Sequence, residues 1–128
     1  MTTCITKGVK VTVETEFQPG YSNPAQDHFV FTYRITIENK GDKTIQLMSR
    51  HWEITDLTFP KREVDGDGVV GKQPILEPGQ THQYVSGCNL RSGIGKMMGY
   101  YTMEKILDGK SFIVTIPEFT MLAPIKLN

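Results

Sequence analysis

The chain has 128 residues, in which 14 lysines and arginines are balanced by 14 aspartates and glutamates. This length suits one domain with a core of its own, and we expect residues 1–128 to form that single domain. The charge balance excludes a broad electrostatic attraction for nucleic acid or anionic lipid, so neither nucleic acid nor a membrane is an expected partner. At its start the sequence lacks the basic and apolar segments of a signal peptide, and no later apolar run could span a bilayer. We therefore expect a soluble, cytoplasmic protein.

The first half of the chain predicts three strands. Apolar and polar residues alternate over residues 9–13 and again, with aromatic side chains, over residues 29–37. Turn-forming residues at 39–42 then predict that residues 44–56 return as an antiparallel neighbour of the second strand. Within that third run the apolar residues change parity, which predicts a β-bulge near residues 48–50.

The second half predicts four more strands, near residues 59–64, 81–86, 99–106 and 111–116. Asp108-Gly109 between the last two predicts a tight two-residue hairpin of type I′. The tail at residues 117–128 keeps several apolar side chains and is expected to pack. About seven short strands with turns at these intervals indicate an all-β fold, a sandwich of two antiparallel sheets.

A glycine-rich loop interrupts this pattern between Asp65 and Pro74. Its glycines have the spacing G-x-G-x-x-G, which signals dinucleotide binding only when a strand precedes it and a helix follows. Pro74 and Pro78 exclude a helix of useful length after the loop. The glycine spacing alone is therefore a weak signal. The candidate ligand- or partner-binding residues of the loop are Gly66, Gly68, Val69, Val70, Gly71 and Lys72.

Three interpretations of this loop stay open. It can be a structural or protein-contacting loop. Its backbone amides can instead cradle a phosphate or nucleotide, with Lys72 adding a positive charge. Asp65 and Asp67 oppose such an anion unless they hold magnesium. The third interpretation is a site for a metal alone, with these two carboxylates as the candidate ligands.

No catalytic constellation is visible, so no catalytic residue is assigned. Ser86 and Ser92 lie outside any Gly-x-Ser-x-Gly elbow, and the histidines lack metal-ligand spacing. Met97, Met98 and Met103 with Tyr100 and Tyr101 could form an adaptable contact surface, against the simpler interpretation that they pack in the core. Trp52 is expected to be the central aromatic residue between the sheets.

Several longer segments resemble the ApaG family. They are residues 50–56 (RHWEITD), 66–71 with Gln73-Pro74, Pro78-Gly79, Ser86-Gly87-Cys88, 95–103 (GKMMGYYTM) and Ile116-Pro117-Glu118-Phe119. The resemblance implies a fibronectin type III-like β-sandwich. ApaG-like domains stand alone in bacteria and also occur in eukaryotic F-box proteins, which implies protein binding. Bacterial members are associated with cobalt and magnesium tolerance, and the family carries no agreed enzymatic activity. The Arg91-Ser92-Gly93-Ile94 segment departs from the family pattern, which has Thr-Pro there.

Two functions follow from these observations. The first is a non-enzymatic module that binds a protein partner through residues 65–74, residues 86–99 or an exposed sheet edge, without a cofactor. The alternative is a nucleotide- or pyrophosphate-binding protein, including a weak metal-dependent phosphohydrolase, that uses residues 66–72. A homo-oligomer is compatible with either function.

Overall fold

A computed structural model describes residues 1–124 as two antiparallel sheets packed face to face. The strands are β1 (Thr2–Thr6), β2 (Val9–Phe17), β3 (Phe29–Asn39), β4 (Ile45–Asp56), β5 (Arg62–Asp67), β6 (Ile75–Leu76), β7 (Thr81–Leu90), β8 (Ile94–Lys105) and β9 (Ser111–Leu122). One sheet has the order β1-β2-β3-β7, and the other has the order β5-β4-β8-β9, with β6 also pairing with β4. This arrangement confirms the predicted all-β sandwich.

The core lies between the sheets because the strands alternate buried and exposed side chains. Val11, Ile35 and Met103 are each 0% exposed. Trp52 fills the middle of the core, with its ring centroid 5.4 Å from that of Tyr33 and 6.0 Å from that of Phe119. The prediction that Trp52 is the central aromatic residue is therefore confirmed.

The prediction that residues 44–56 pair with the strand at residues 29–37 is wrong. β4 lies in the other sheet, and β3 pairs with β2 and β7. Asn39, which is 1% exposed, explains the change of sheet. Its side-chain amide donates to the carbonyl oxygens of Lys43 at 2.8 Å and Leu76 at 2.9 Å, and its Oδ1 accepts from the Gly41 amide at 3.0 Å. These bonds form a corner that carries the chain across the sandwich.

Other differences concern strand ends and turns. Strand β1 was not predicted, and β5 starts three residues later than expected and includes Gly66 and Asp67. The turn at Asp108-Gly109 is a four-residue connection rather than a two-residue one, because Lys105 pairs with Lys110 and only Gly109 there has a positive φ. The bulge is confirmed, since the register of β4 against β8 shifts between Leu47 and Ser49.

The tail packs as predicted as far as it is described. Strand β9 continues to Leu122, and both Phe119 and Met121 are buried. The apolar residues Ile125 and Leu127 lie outside the described residues. Helical structure in residues 1–124 amounts to two single 3-10 turns, at Pro19–Tyr21 and Pro24–Gln26. No helix in this part of the chain is long and apolar enough to cross a membrane.

Candidate functional site

The glycine-rich segment divides into a strand end and a tight turn. Gly66 belongs to β5, whereas residues 68–72 form a turn in which the amides of Val69 and Lys72 bond each other's carbonyl oxygens at 2.7 and 3.0 Å. Gly68 has φ 61°, and a Cβ there would lie 2.2 Å from the Lys72 carbonyl oxygen. Glycine at position 68 is therefore required by the close approach of two backbone segments.

These hydrogen bonds reduce what the turn can offer to a phosphate. The Gly68 amide donates to the Met48 carbonyl oxygen at 2.9 Å, so the amides of Gly68, Val69 and Lys72 are all occupied. The amides of Val70 and Gly71 have no acceptor among residues 1–124. The sequence-predicted phosphate cradle stays a prediction, with two backbone donors at the tip of the turn.

The two valines of the turn have opposite environments. Val69 is 0% exposed and belongs to the core, whereas Val70 is 60% exposed. Val70 also has φ 47°, which is rare for a β-branched residue because the branched side chain crowds the backbone there. Only Val70 is therefore available to a partner.

Arg50 supports the turn from the neighbouring strand. Its Nη1 donates to the carbonyl oxygens of Asp67 at 3.1 Å and Gly68 at 2.8 Å. The guanidinium lies over Gly66, where a Cβ would approach its two terminal nitrogens to 2.8 Å. Gly66 thus makes room for a side chain of this protein. Sequence analysis missed the role of Arg50, although its place on the core-facing parity of β4, two residues before Trp52, was a signal.

The outer face of the second sheet carries a polar cluster beside the turn. His51 Nδ1 lies 2.6 Å from Asp65 Oδ1, and the His51 ring stacks on Tyr100 with centroids 4.9 Å apart. Asp65 is paired with His51 across adjacent strands, while Asp67 lies two residues further along β5. Among residues 1–124, the group with metal-ligand spacing is His51, Glu53 and Glu63, and it includes neither predicted aspartate.

That acidic group is already engaged in part. Glu53 Oε1 accepts from Lys61 Nζ at 2.6 Å, and this hydrogen bond lowers the pKa of Glu53. The structure therefore gives no geometric support for Asp65 and Asp67 as a metal site, and their role stays a prediction.

The methionine and tyrosine cluster is mostly core. Met97, Tyr101 and Met103 are 0 or 1% exposed, as the simpler interpretation expected. Met98 and Tyr100 face outward, at 40% and 38% exposed. These two residues, with the outward-facing Ile113 of the neighbouring strand, give the outer face some apolar character.

Ser92, one of the two serines outside a nucleophile elbow, has a structural partner, and Cys88 is a buried thiol. Ser92 Oγ donates to Asp56 Oδ1 at 2.6 Å, and Asp56 Oδ2 accepts from the Arg91 amide at 2.7 Å. Burial raises the pKa of the Cys88 thiol, which disfavours the reactive thiolate. Both Cys4 and Cys88 are free thiols.

Comparisons with known proteins agree with the resemblance in sequence. The family model of the ApaG domain matches residues 19–105. Protein ApaG from Brucella abortus (strain S19) is 45% identical over 124 residues, which cover 97% of this chain and 95% of the relative. Protein ApaG from Acidithiobacillus ferrooxidans is 48% identical over 90% of each chain. Among solved structures, the ApaA protein from Bordetella pertussis has a TM-score of 0.87 at 42% identity, covering 92% of this chain and 95% of that one.

Proposed function

The chain belongs to the ApaG family, and we propose that it acts as a non-enzymatic binding module that recognises a protein partner through the turn at residues 68–72. The observation that carries this proposal is Val70, an exposed β-branched residue held at φ 47°. Such a conformation costs about 1–3 kcal/mol and persists only where the surrounding structure enforces it. Backbone strain of this kind concentrates at binding sites.

The bonds around Val70 supply that enforcement. On the N-terminal side of Val70, Arg50 donates to the carbonyl oxygens of Asp67 and Gly68. On its C-terminal side, Gln73 Nε2 donates to the Met48 carbonyl oxygen at 2.9 Å. Val69, on its N-terminal side, is anchored in the core. The turn therefore presents an apolar side chain on a rigid base, which lowers the entropy lost when a partner binds.

The neighbouring outer face adds contact area of the same character. Tyr100 and Met98 are exposed on β8, and aromatic and methionine side chains are enriched in the centres of protein interfaces. His51 and Asp65 lie between this face and the strand that leads into the turn, and provide polar groups for a rim. A protein surface with an apolar centre fits this combination better than a small ligand does.

Exchange of Val70 for glycine separates binding from folding. Glycine adopts φ 47° freely, so V70G should raise the free energy of unfolding by up to about 1 kcal/mol while removing the apolar contact. A photo-crosslinking residue at position 70 should trap one defined protein in cells, and one at exposed Leu107 should not. Excess wild-type protein should compete the crosslink away, and excess V70G protein should not. Equal competition by both would refute the proposal.

The second candidate is binding of pyrophosphate or a nucleotide by the same turn. It is favoured by the amides of Val70 and Gly71, which have no acceptor among residues 1–124 and precede the positively charged Lys72 in the chain. Magnesium pyrophosphate should then raise the melting temperature, since a ligand that binds only the folded state stabilises it. K72Q should abolish this shift, whereas K10Q on β2 should not. A shift that survives K72Q would discard this candidate.

A further inference from the structure

A cleft opens between two edge strands that belong to different sheets. Strand β5 ends one sheet and β7 ends the other, and the gap between them has a volume of about 380 Å³. This volume lies at the small end of the range for ligand pockets. The cleft shares Arg50 with the outer-face pocket at His51 and Asp65, whereas Arg62 and Trp52 line the cleft alone.

The charge in this cleft has one sign. Arg50 and Arg62 line it, and no aspartate or glutamate does. Within residues 1–124, neither guanidinium forms an ion pair with a carboxylate. Asp56, whose pKa Arg62 helps to lower, is engaged by Ser92 and two backbone amides. None of the chain's four arginines forms an ion pair within residues 1–124, so the cleft is distinguished by holding two of them without a carboxylate in its lining.

Arg50 occupies one end of the cleft in a half-buried position. Its two hydrogen bonds to carbonyl oxygens leave donors of the guanidinium available. Nearby, burial raises the pKa of Tyr33, while the Ser86 hydroxyl and the positive charge of Arg50 oppose that rise. A partly desolvated cation surrounded by neutral oxygens attracts an anion more strongly than one in bulk water.

Arg62 occupies the other end and links the two edge strands. Its Nη2 donates to the Asn89 carbonyl oxygen of β7 at 2.7 Å. On β5, the residue that pairs with Arg50 is Gly66, which lies four residues after Arg62. At about 3.3 Å per residue, the backbone positions of the two ends are therefore roughly 13 Å apart.

Between the two arginines the floor is apolar and aromatic. Trp52 and Ile54 of β4 and Met97 of β8 form this floor and are at most 6% exposed, whereas Val64 of β5 lines one wall and is 40% exposed. The Ser86 hydroxyl lies on the β7 side. This combination suits a ligand whose apolar body lies on the floor while an acidic group meets a guanidinium at one end. Arg is well matched to phosphate and carboxylate because its planar fork can bond two oxygens at once.

We propose that the cleft between β5 and β7 binds a small organic anion, with Arg50 and Arg62 holding phosphate or carboxylate groups and with Val64 and the accessible edge of the Trp52 floor contacting the apolar body. The glycine spacing does not contribute to this site, except that Gly66 makes room for Arg50. The site does not depend on recognition of a protein by the turn.

Intrinsic fluorescence tests the proposal directly, since Trp52 is the single tryptophan and lines the cleft. Phenyl phosphate and benzoate serve as the phosphate and carboxylate probes. At least one should change the emission saturably, and the tighter of the two identifies the preferred acid. Phenol, which lacks the charge, should bind at least about tenfold more weakly, and added salt should weaken the anion.

Arg62 provides the decisive variant because it is exposed and does not contact the turn. R62Q should weaken probe binding about tenfold and leave the crosslink from position 70 unchanged. R34Q, an exposed arginine on β3 outside the cleft, is the matched control and should bind as the wild type does. Two results would overturn the proposal: no saturable change with either probe, or equal weakening in R62Q and R34Q.

Discussion

Two charged residues on the core-facing side of β4 have contrasting surroundings. Asp56 is 4% exposed, and its carboxylate accepts hydrogen bonds from the Arg91 amide, the Ser92 amide and Ser92 Oγ. Arg50, on the same parity of the strand, bonds two carbonyl oxygens and meets no carboxylate among residues 1–124. The acid is therefore saturated by its own chain, whereas the base keeps donors free.

This contrast indicates different roles. A buried charge with all its hydrogen bonds satisfied organises structure, and Asp56 anchors the start of the loop between β7 and β8 at Arg91 and Ser92. Arg50 supports the turn with two hydrogen bonds, and the donors that it leaves unused suit a ligand of opposite charge. Substitutions at the two positions should therefore affect different measurements.

The largest effect is expected from Asp56→Ala. It leaves the amides of Arg91 and Ser92 without an acceptor, so the free energy of unfolding should fall by about 3 kcal/mol. Urea denaturation at neutral pH measures this change. Ser92→Ala, which removes the hydroxyl but keeps the carboxylate and both amide bonds, should cost clearly less. Equal losses in the two variants would show that the carboxylate is not the anchor.

A pH dependence follows from the same carboxylate. Burial opposes ionisation of Asp56, but hydrogen bonds from Ser92 and the Arg91 amide outweigh it, so its pKa lies below the ordinary 3.8. A lowered folded-state pKa stabilises the protein above the unfolded pKa, and this contribution is lost as pH falls through the folded value. Unfolding free energies between pH 6 and pH 3 should decline less in D56N than in the wild type. Parallel curves would contradict the assignment.

Arg50→Met should have a much smaller effect on stability. Methionine keeps the apolar stem but removes the two hydrogen bonds to the turn, so the free energy of unfolding should fall by about 1 kcal/mol. Binding of phenyl phosphate to the cleft should nevertheless be lost. Denaturation and fluorescence titration on the same preparation measure the two quantities. A loss of stability comparable to that of Asp56→Ala would make Arg50 a structural residue.

The smallest change in stability is expected from Gly66→Ala, about 0.5 kcal/mol. The added methyl group forces the Arg50 guanidinium away from the strand, because it would lie 2.8 Å from the terminal nitrogens. Probe binding should weaken through this displacement. Gly20→Ala is the matched control, since no atom lies within 4 Å of its added Cβ and its φ is not positive. Unchanged probe binding in G66A would separate Arg50 from the cleft.

The fold was predictable where one face of a strand is buried. Residues 9–13 and 29–37 alternate clearly because both lie against the core. Strands β1 and β5 are sheet edges, and their mostly exposed or half-exposed residues lack a strong apolar alternation, so β1 was missed and β5 was misplaced. The sheet change after β3 depends on hydrogen bonds from Asn39 to Leu76, which no local pattern reports.

The only part of the candidate site that the sequence predicted is the turn, whose conformation depends on residues close together in the chain. The glycine spacing located the turn, because turn residues act on their own backbone. The space that Gly66 leaves for the Arg50 guanidinium depends on the pairing of β4 with β5, which brings together two residues sixteen positions apart. The cleft requires two edge strands from different sheets, so no pattern in the sequence showed that Arg50 and Arg62 line the same cleft. The sequence also did not show that Val69 is buried and Val70 exposed, because both are valines in the same turn.

The corner at Asn39 also bears on how quickly the chain reaches its fold. Because the chain changes sheet there, β3 finds its second neighbour only in β7, where Phe31 pairs with Cys88 and Ile37 with His82. Partners so distant along the chain require closure of a long loop before any pairing stabilises the product. All-β folds dominated by such pairings refold in roughly milliseconds to seconds. The first sheet of this sandwich is therefore completed only after β4, β5 and β6 of the second sheet, whereas β8 and β9 follow β7 along the chain.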